Sequence, residues 1–477
     1  MTVKTWMRTN VVAAASAGLA LRAFFIFRFP ATGSGDAPFY IELAWNWLKN
    51  GVYGAFTGGR LIPLDARVPG YPAFLAGIFS IAGKSPRAVL LAQTVVDLAT
   101  CFLIALIAAR LAPASSRRRV ALAGLWLAAL CPFTANYTAV VQTETLITFL
   151  TALAILLLLE AMSSAGRAGS KGFPVGKPAL SPWFLAGLVV GFGTLVRPET
   201  PLLLAAAALV LVARWHRSAD WLKLARTGLL MGAGLLLPLL PWAARNWHTL
   251  HKIQFLAPRY AESPGEIPPA GFDSWCHTWL WRYRDVDPTV WNLDVNKIPI
   301  DAVPPSAFDS SQERARVGNL LDQYNVSLTL SSDEDRAFAE IARERTALHP
   351  LRTFLKIPLL RSLAMWFTPR IELLPYAGQI WPLKSEWQDD REDLTVTLLL
   401  FFVNCVYIAL ALAGAWIARG HPAWAFLIVF IGLRTIFFAG FADAPEPRYV
   451  LECFPAIIAL GAQVFGGKRQ LSPTGSG

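Results

Sequence analysis

The chain has 477 residues, 55% of them hydrophobic and only 16% charged, and its 43 Lys and Arg exceed its 32 Asp and Glu to give a net charge of +11. Soluble domains carry about 25% charged residues, so this composition excludes a soluble multidomain protein and points to a polytopic membrane protein. There the basic excess reports topology rather than nucleic-acid binding, because Lys and Arg collect in cytoplasmic loops.

The first apolar run, residues 9–29, is interrupted by Arg22 and lacks a small-residue cleavage site before the polar turn at 32–36. It reads as a first span rather than a signal peptide. A long first outer loop, 30–87, follows. In it Phe39, Tyr40, Leu43, Ala44, Trp47 and Leu48 recur on one helical face, which predicts a helix lying in the membrane interface. The next apolar stretch, 71–83, is too short to span and reads as an interfacial or re-entrant helix. Further spans are predicted over 88–109, 120–139, 143–161, 183–196, 198–213, 227–244, 394–417, 422–441 and 449–465. The expected architecture is therefore an all-α polytopic membrane protein with about ten transmembrane helices, two of them short.

With the N-terminus inside, every inner segment is basic: Lys4 and Arg8; Arg110 and Arg117 to Arg119; Arg167, Lys171 and Lys177; Arg214, Arg217, Lys223 and Arg226; Arg419; Lys468 and Arg469. Residues 247–393 behave oppositely, with 21 acidic residues against 16 basic, while the rest of the chain has 11 against 27. That block is expected outside, with an irregular Pro-, Trp- and Asp-rich part at 258–310 and a helical return to the membrane at 334–368, broken by Pro350 and Pro358. Three parts result: an N-terminal bundle (1–246) with its outer loop 30–87, an extracytoplasmic segment (247–393) of mixed helical and irregular structure, and C-terminal transmembrane helices (394–477). No fixed-period repeat is visible, which weighs against transporters built from repeats.

Four of the five cysteines, Cys101, Cys131, Cys405 and Cys453, fall in apolar stretches, and only Cys276 lies in a polar region. No disulfide framework or metal-binding cysteine pattern follows. The six histidines form no ligand-spaced pair, and HExxH, P-loop, nucleophile-elbow and dinucleotide motifs are absent.

Among residues that can carry chemistry, Asp36 in Gly33-Ser-Gly-Asp-Ala-Pro-Phe-Tyr40 comes first. A carboxylate at a membrane interface can serve as a general base, but an Asp before Ala-Pro is also a good helix N-cap, and spacing alone favours the cap. Arg67, Arg197, Arg245 and Arg448 share an outer-boundary depth at which they could surround one phosphate or snorkel to headgroups. Glu144 reads either as a second acid or as part of a helix N-terminus; Tyr40 and Tyr449 are further candidates for substrate contact. Of the intramembrane ionisable groups Arg22, Asp97, Arg434 and Glu452, Asp97 is expected to make a polar interhelical contact, with Arg434 as its partner. Trp275, Trp279, Trp281 and Trp291 could stack on sugar rings or form an interfacial belt.

These stretches together resemble the bacterial members of the GT-C superfamily of integral membrane glycosyltransferases, near the dolichyl-phosphate-mannose protein mannosyltransferases (glycosyltransferase family 39) and the aminoarabinose transferases of lipid A. The resemblance rests on Gly35-Asp36 with Tyr40, Ala44 and Gly51; Arg67-Val-Pro-Gly-Tyr-Pro72; Gln142-Thr-Glu-Thr145; Leu195-Val-Arg-Pro-Glu199; Pro241-Trp-Ala-Ala-Arg-Asn246; and Arg448-Tyr449 with Pro455. It implies a polyprenyl-phosphate sugar donor, a protein, glycolipid or polysaccharide acceptor, and transfer at the extracytoplasmic face of a plasma (inner) membrane. The acidic residue at the catalytic centre of such enzymes corresponds to Asp36. Many relatives carry Asp-Glu there, whereas this chain has Asp36-Ala37, so a metal at that loop is not implied and a divalent cation is left open. The rival expectation is a transporter or flippase of lipid-linked sugars.

Overall fold

The computed structural model describes residues 3–33, 35–167, 180–215, 221–258 and 267–467. The inner-segment residues Lys171, Lys177, Arg217, Lys468 and Arg469 lie outside them. Helices follow one another with one interruption by strands: α1 (Val3–Arg28), α2 (Ala37–Asn50), β1 (Gly54–Thr57), β2 (Arg60–Pro63), α3 (Gly70–Ala82), α4 (Pro86–Leu111), α5 (Arg117–Ala129), α6 (Pro132–Ala135), α7 (Glu144–Arg167), α8 (Pro182–Thr194), α9 (Leu202–Trp215), α10 (Trp221–Leu250), α11 (Ala270–His277), α12 (Ser311–Ser327), α13 (Ser332–Leu348), α14 (Ile357–Trp366), α15 (Leu383–Asp389), α16 (Arg391–Ala418), α17 (Trp424–Phe441) and α18 (Phe454–Gly461). Among the described residues seven helical segments are long and apolar enough to cross a membrane, α5 with residues 132–139 forms a bent eighth, and α3, α8 and α9 are shorter apolar helices. The ten predicted spans correspond to these seven, the bent pair, α8 and α9. The chain is an all-α multi-pass membrane protein.

It divides into two compact units. The first holds residues 1–256, 371–431 and 451–477; the second holds 257–370 and 432–450.

In the first unit the bend between α5 and α6 amounts to 51°. Pro132 supplies no N–H and cannot continue the helix, so carbonyls at the end of α5 need other donors. Arg22 of α1 provides them: its guanidinium donates to Ala129 O and, at 3.3 Å, to Ala128 O, while Nε and Nη2 hold Asp97 of α4 at 2.8 and 2.6 Å. Arg22 and Asp97 are both fully buried. This corrects the expected Asp97–Arg434 contact. Arg434 belongs to the second unit, where its Nε donates to Tyr449 O at 2.6 Å. The error has a simple origin, because pairing intramembrane charges from sequence gives sign and depth but not azimuth. Helices α8 and α10 approach closely through small residues, since a Cβ at Gly187 would stand 2.2 Å from Met231 O and one at Gly191 2.5 Å from Leu235 O. Such contacts replace the missing hydrophobic drive between helices in lipid.

A short antiparallel hairpin, with Gly54 opposite Pro63 and Thr57 opposite Arg60, interrupts the segment between α2 and α3. Sequence reading passed over it, although Gly58-Gly59 between two four-residue runs is a hairpin signal. The glycines take φ of +57° and +76°, the left-handed values that a tight turn needs.

The second unit is built around Phe272, Trp275, Trp279, Val317, Tyr324 and Phe338. Trp275 packs between Trp279, Phe272 and Phe338 with ring centroids 5.2 to 5.6 Å apart. Trp275 and Trp279 are therefore core residues, inaccessible to a sugar. Trp281 is instead covered by the Arg282 guanidinium, 4.6 Å from its ring centroid, and Trp291 is edge-on to Tyr283 on the exterior. Cys276, assigned to a polar region from sequence, is also fully buried in this core. Residues 283–307 contribute four single 3-10 turns, as the irregular composition predicted. Helix α13 begins with a capping box in which Ser331 and Glu334 satisfy each other's backbone N–H groups.

Candidate active site

The first unit gathers most of the residues singled out from sequence. Gly35 has a φ of +57°, a left-handed conformation open to glycine, and it turns the chain so that Asp36 stands at the head of α2. Asp36 makes no side-chain cap to that helix. Its carboxylate faces the loop before α3 instead, where Arg67 Nη2 donates to Oδ1 at 3.1 Å. Both side chains remain about a third exposed, 37% for Asp36 and 33% for Arg67. Of the two readings of Asp36, the side-chain cap is the one the geometry does not contain.

The Arg67 loop is fixed from its backbone side. Tyr53 OH donates to Arg67 O at 2.9 Å, and Gly70 N donates to Leu195 O at 2.6 Å. A Cβ on Gly70 would lie 2.5 Å from that same carbonyl, so only glycine lets α3 meet the end of α8 this closely. The contact brings Arg67 and the Leu195–Glu199 corner to one side of the unit.

Tyr40, one turn into α2, lies between the two groups. Burial, then the negative Asp36 carboxylate, push its phenol up to about 12, with Arg67, Glu144 and Arg197 also acting on it. Burial works against the Arg67 charge, but the Asp36 carboxylate and the Tyr40 hydroxyl more than offset it and raise its pKa. Arg67 is thus a fixed cation at this site.

Arg197 is arranged differently. Its guanidinium faces three carboxylates: Glu199 at 3.2 Å, Glu144 at 3.5 Å and Glu452 at 3.7 Å. Glu144 and Glu452 are almost completely buried. Glu144 is the first residue of α7, at a helix N-terminus, and its charge acts on the Tyr40 hydroxyl. Three carboxyl groups thus gather around one guanidinium.

Arg245 is placed by α10 at a different wall. It donates to Tyr53 O at 2.7 Å, Leu64 O at 2.8 Å and Asn246 Oδ1 at 2.9 Å, and its guanidinium lies 5.0 Å from the Trp242 ring centroid. It borders a pocket of about 1020 Å³ whose lining is mostly apolar, including Trp47, Tyr53, Phe74, Leu150, Phe192 and Trp242. Pro69 and Gly70, just after Arg67, form part of the same wall. A largely apolar cavity is thus lined by residues two and three positions after Arg67.

Arg448 and Tyr449 belong to the second unit. Arg448 forms a two-pronged pair with Glu446, Nε to Oε2 at 2.6 Å and Nη2 to Oε1 at 3.0 Å, and Tyr449 OH donates to the same Oε1 at 2.8 Å. Residues missed from sequence include Gln93 and Tyr71, whose contacts sit behind Tyr40, and Glu199. Glu199 stands within the quoted Leu195–Glu199 stretch and could have been found there. Among the described residues no group of three or more His, Cys, Asp or Glu side chains is arranged to hold a metal ion.

Residues 66–244, less than half of the chain, match the family model of dolichyl-phosphate-mannose-protein mannosyltransferases. No curated protein sequence matches the chain. Among solved structures, it is similar to the archaeal oligosaccharyltransferase AglB of Archaeoglobus fulgidus in complex with an inhibitory peptide and a dolichol-phosphate, at 14% identity and a TM-score of 0.51 over 97% of this chain and 50% of that one. The same oligosaccharyltransferase tethered to an acceptor peptide gives 14% identity and a TM-score of 0.51 over 97% and 49%. At this identity the likeness is one of fold, and the chain spans about half the length of those enzymes. The matched stretch contains Arg67, Glu144 and Arg197, and the likeness to the oligosaccharyltransferase is one of helical architecture.

Proposed function

We propose that the protein transfers a sugar from a polyprenyl-phosphate donor to an acceptor hydroxyl at the extracytoplasmic face of the plasma membrane, with its N-terminus in the cytoplasm. The observation that carries this reading is the Asp36–Arg67 pair, with Tyr40 beside it, at the edge of an apolar pocket of about 1020 Å³. A lipid-phosphate sugar has the matching parts: a tail for the pocket, an anion for Arg67 and, on the far side of the phosphate from the tail, an anomeric carbon for the acceptor to attack. The related archaeal enzyme has been seen with a dolichol-phosphate, which supports a lipid-phosphate donor. Its acceptor peptide supports a protein acceptor ahead of a glycolipid or polysaccharide.

In the proposed step Asp36 takes the proton of the acceptor hydroxyl as its oxygen attacks the anomeric carbon. The bond from that carbon to the phosphate oxygen breaks, and its electron pair leaves with polyprenyl phosphate. Arg67 offsets the charge that gathers on the leaving group. Attack from the face opposite the phosphate inverts the anomeric centre. Arg197 has a different role in this scheme: with three carboxylates around it, it orders Glu144 and Glu199 and leaves phosphate to Arg67. Arg245, at the pocket wall, helps to seat the phosphate end of the donor. No step requires a metal ion, and a divalent cation has no assigned ligand.

Purified protein incubated with a labelled polyprenyl-phosphate mannose tests the reading. Release of polyprenyl phosphate, with water or a Ser/Thr peptide as acceptor, supports a transferase. Movement of intact donor across vesicles without cleavage refutes it in favour of a flippase.

A further inference from the structure

Gln93 lies about two turns into α4, inside an apolar span, and is completely buried. A buried amide in such a place must have partners or it costs stability. Here every polar atom is used, and on both sides toward the site. Its Oε1 accepts from Tyr71 OH at 2.7 Å. Its Nε2 faces the broken segment after α6, with Val140 O at 2.7 Å and the carbonyls of Thr138 and Tyr137 at 3.4 and 3.5 Å. Three carbonyls on one side and a hydroxyl on the other fix which way the amide points.

Each arm leads to a residue of the proposed site. Residues 139–141 hold the strand-like approach to Asp36: Ala31 N donates to Ala139 O at 2.9 Å and Val141 N to Ala31 O at 3.4 Å, an isolated parallel bridge of Ala31 with Val140. The same segment runs on to Gln142, whose side-chain nitrogen lies against Gly35, and to Glu144. On the other arm the Tyr71 ring stands edge-on to Tyr40 with centroids 5.2 Å apart, and Tyr40 adjoins Arg67. After the 3-10 turn at Asn136–Ala139 the backbone at 140–143 is irregular; between apolar helices it is tolerable only because protein groups satisfy it, and Gln93 supplies a side-chain amide that does so.

We propose that Gln93 is a positioning residue of the transfer site: one buried amide ties the chain leading to Asp36 and the Tyr71–Tyr40 pair into a single geometry. The proposal rests on the glycosyl-transfer reading for its kinetic consequence and on the hydrogen bonds alone for its structural one. Gln93 does not touch substrate. It acts through the placement of Asp36, Tyr40 and Arg67, and misplacement of reacting groups by about 1 Å can cost 10²-fold in rate.

The test uses Gln93→Met, which keeps the volume and removes both arms, and Tyr71→Phe, which removes only the hydroxyl. In hydrogen–deuterium exchange on the full-length protein, Gln93→Met should speed exchange of the Ala31, Val141 and Gln142 amides about tenfold or more, as expected for loss of a buried hydrogen bond. The β1–β2 hairpin should be unchanged, and Tyr71→Phe should give a smaller increase. Using labelled polyprenyl-phosphate mannose, Gln93→Met should lower kcat about tenfold or more while KM stays within about twofold. Unchanged exchange at those three amides overturns the proposal. So does a loss of activity that vanishes when normalised to folded protein, because that marks a purely structural role. If the wild type releases no polyprenyl phosphate, the functional reading fails, and the exchange result alone then supports or overturns the assignment of Gln93.

Discussion

Replacing Asp36 by Asn separates chemistry from scaffolding more cleanly than any other single change. The substitution is nearly isosteric and removes one negative charge. Asp36 caps no helix with its side chain, and its one ion pair, to Arg67 at 3.1 Å, joins two groups that are about a third exposed. Solvent-screened pairs of this kind contribute about 0–1 kcal/mol, a small loss for a protein held together by buried helices. Loss of a general base costs about 10²–10⁴-fold in rate. Asp36→Asn should therefore lower kcat for polyprenyl phosphate release by two to four orders of magnitude, with a melting temperature close to that of the wild type. Donor binding should hold or tighten, because Arg67 loses its carboxylate competitor for phosphate. Turnover within about threefold of the wild type, by a properly folded variant, would falsify the base assignment. A large fall in melting temperature would instead show Asp36 to be structural.

The remaining expectations address the pocket and the two units. Leu150→Trp adds bulk to the apolar pocket, and should raise KM for a long-chain polyprenyl donor several-fold while leaving a short-chain analogue little affected; equal effects on both chain lengths would remove the tail from that pocket. Arg22→Met should destabilise the first unit by about 3–5 kcal/mol, since Asp97 is left buried without its partner, and adding Asp97→Asn should recover much of the loss in thermal unfolding in detergent. Coupling of Asp97→Asn to a change at Arg434 instead would contradict the observed pairing. In the second unit, two hydrogen bonds from Arg352, at 2.5 and 2.8 Å, hold the Asp309 carboxyl below its ordinary value of 3.8. The folded form favours the ionised carboxylate, so this stabilisation is complete above about pH 3.8 and is lost as the pH falls through the lowered folded value. Unfolding of this unit, followed by the fluorescence of Trp275 and Trp279, should show that acid dependence, and Asp309→Asn should flatten it.

Composition and periodicity were enough to establish a multi-pass helical membrane protein, because a bilayer crossing imposes its length and apolarity on the local sequence. They also located the helix that ends at Gly51 and the short apolar helix after Pro69. Asp36, Arg67, Glu144 and Arg197 were legible as well, since charge beside an apolar run stands out in one dimension. What only the tertiary structure decided is which of these charges meet. Four arginines at one depth read alike in sequence. Folded, Arg67 faces a lone carboxylate, Arg197 is surrounded by three, Arg245 is engaged with backbone carbonyls beside the pocket, and Arg448 pairs with Glu446 in another unit. Asp97 found Arg22 rather than Arg434 for the same reason. Span length is a property of consecutive residues, whereas the azimuth of each helix is set by packing between residues tens to hundreds of positions apart, and partner choice inside a membrane follows azimuth.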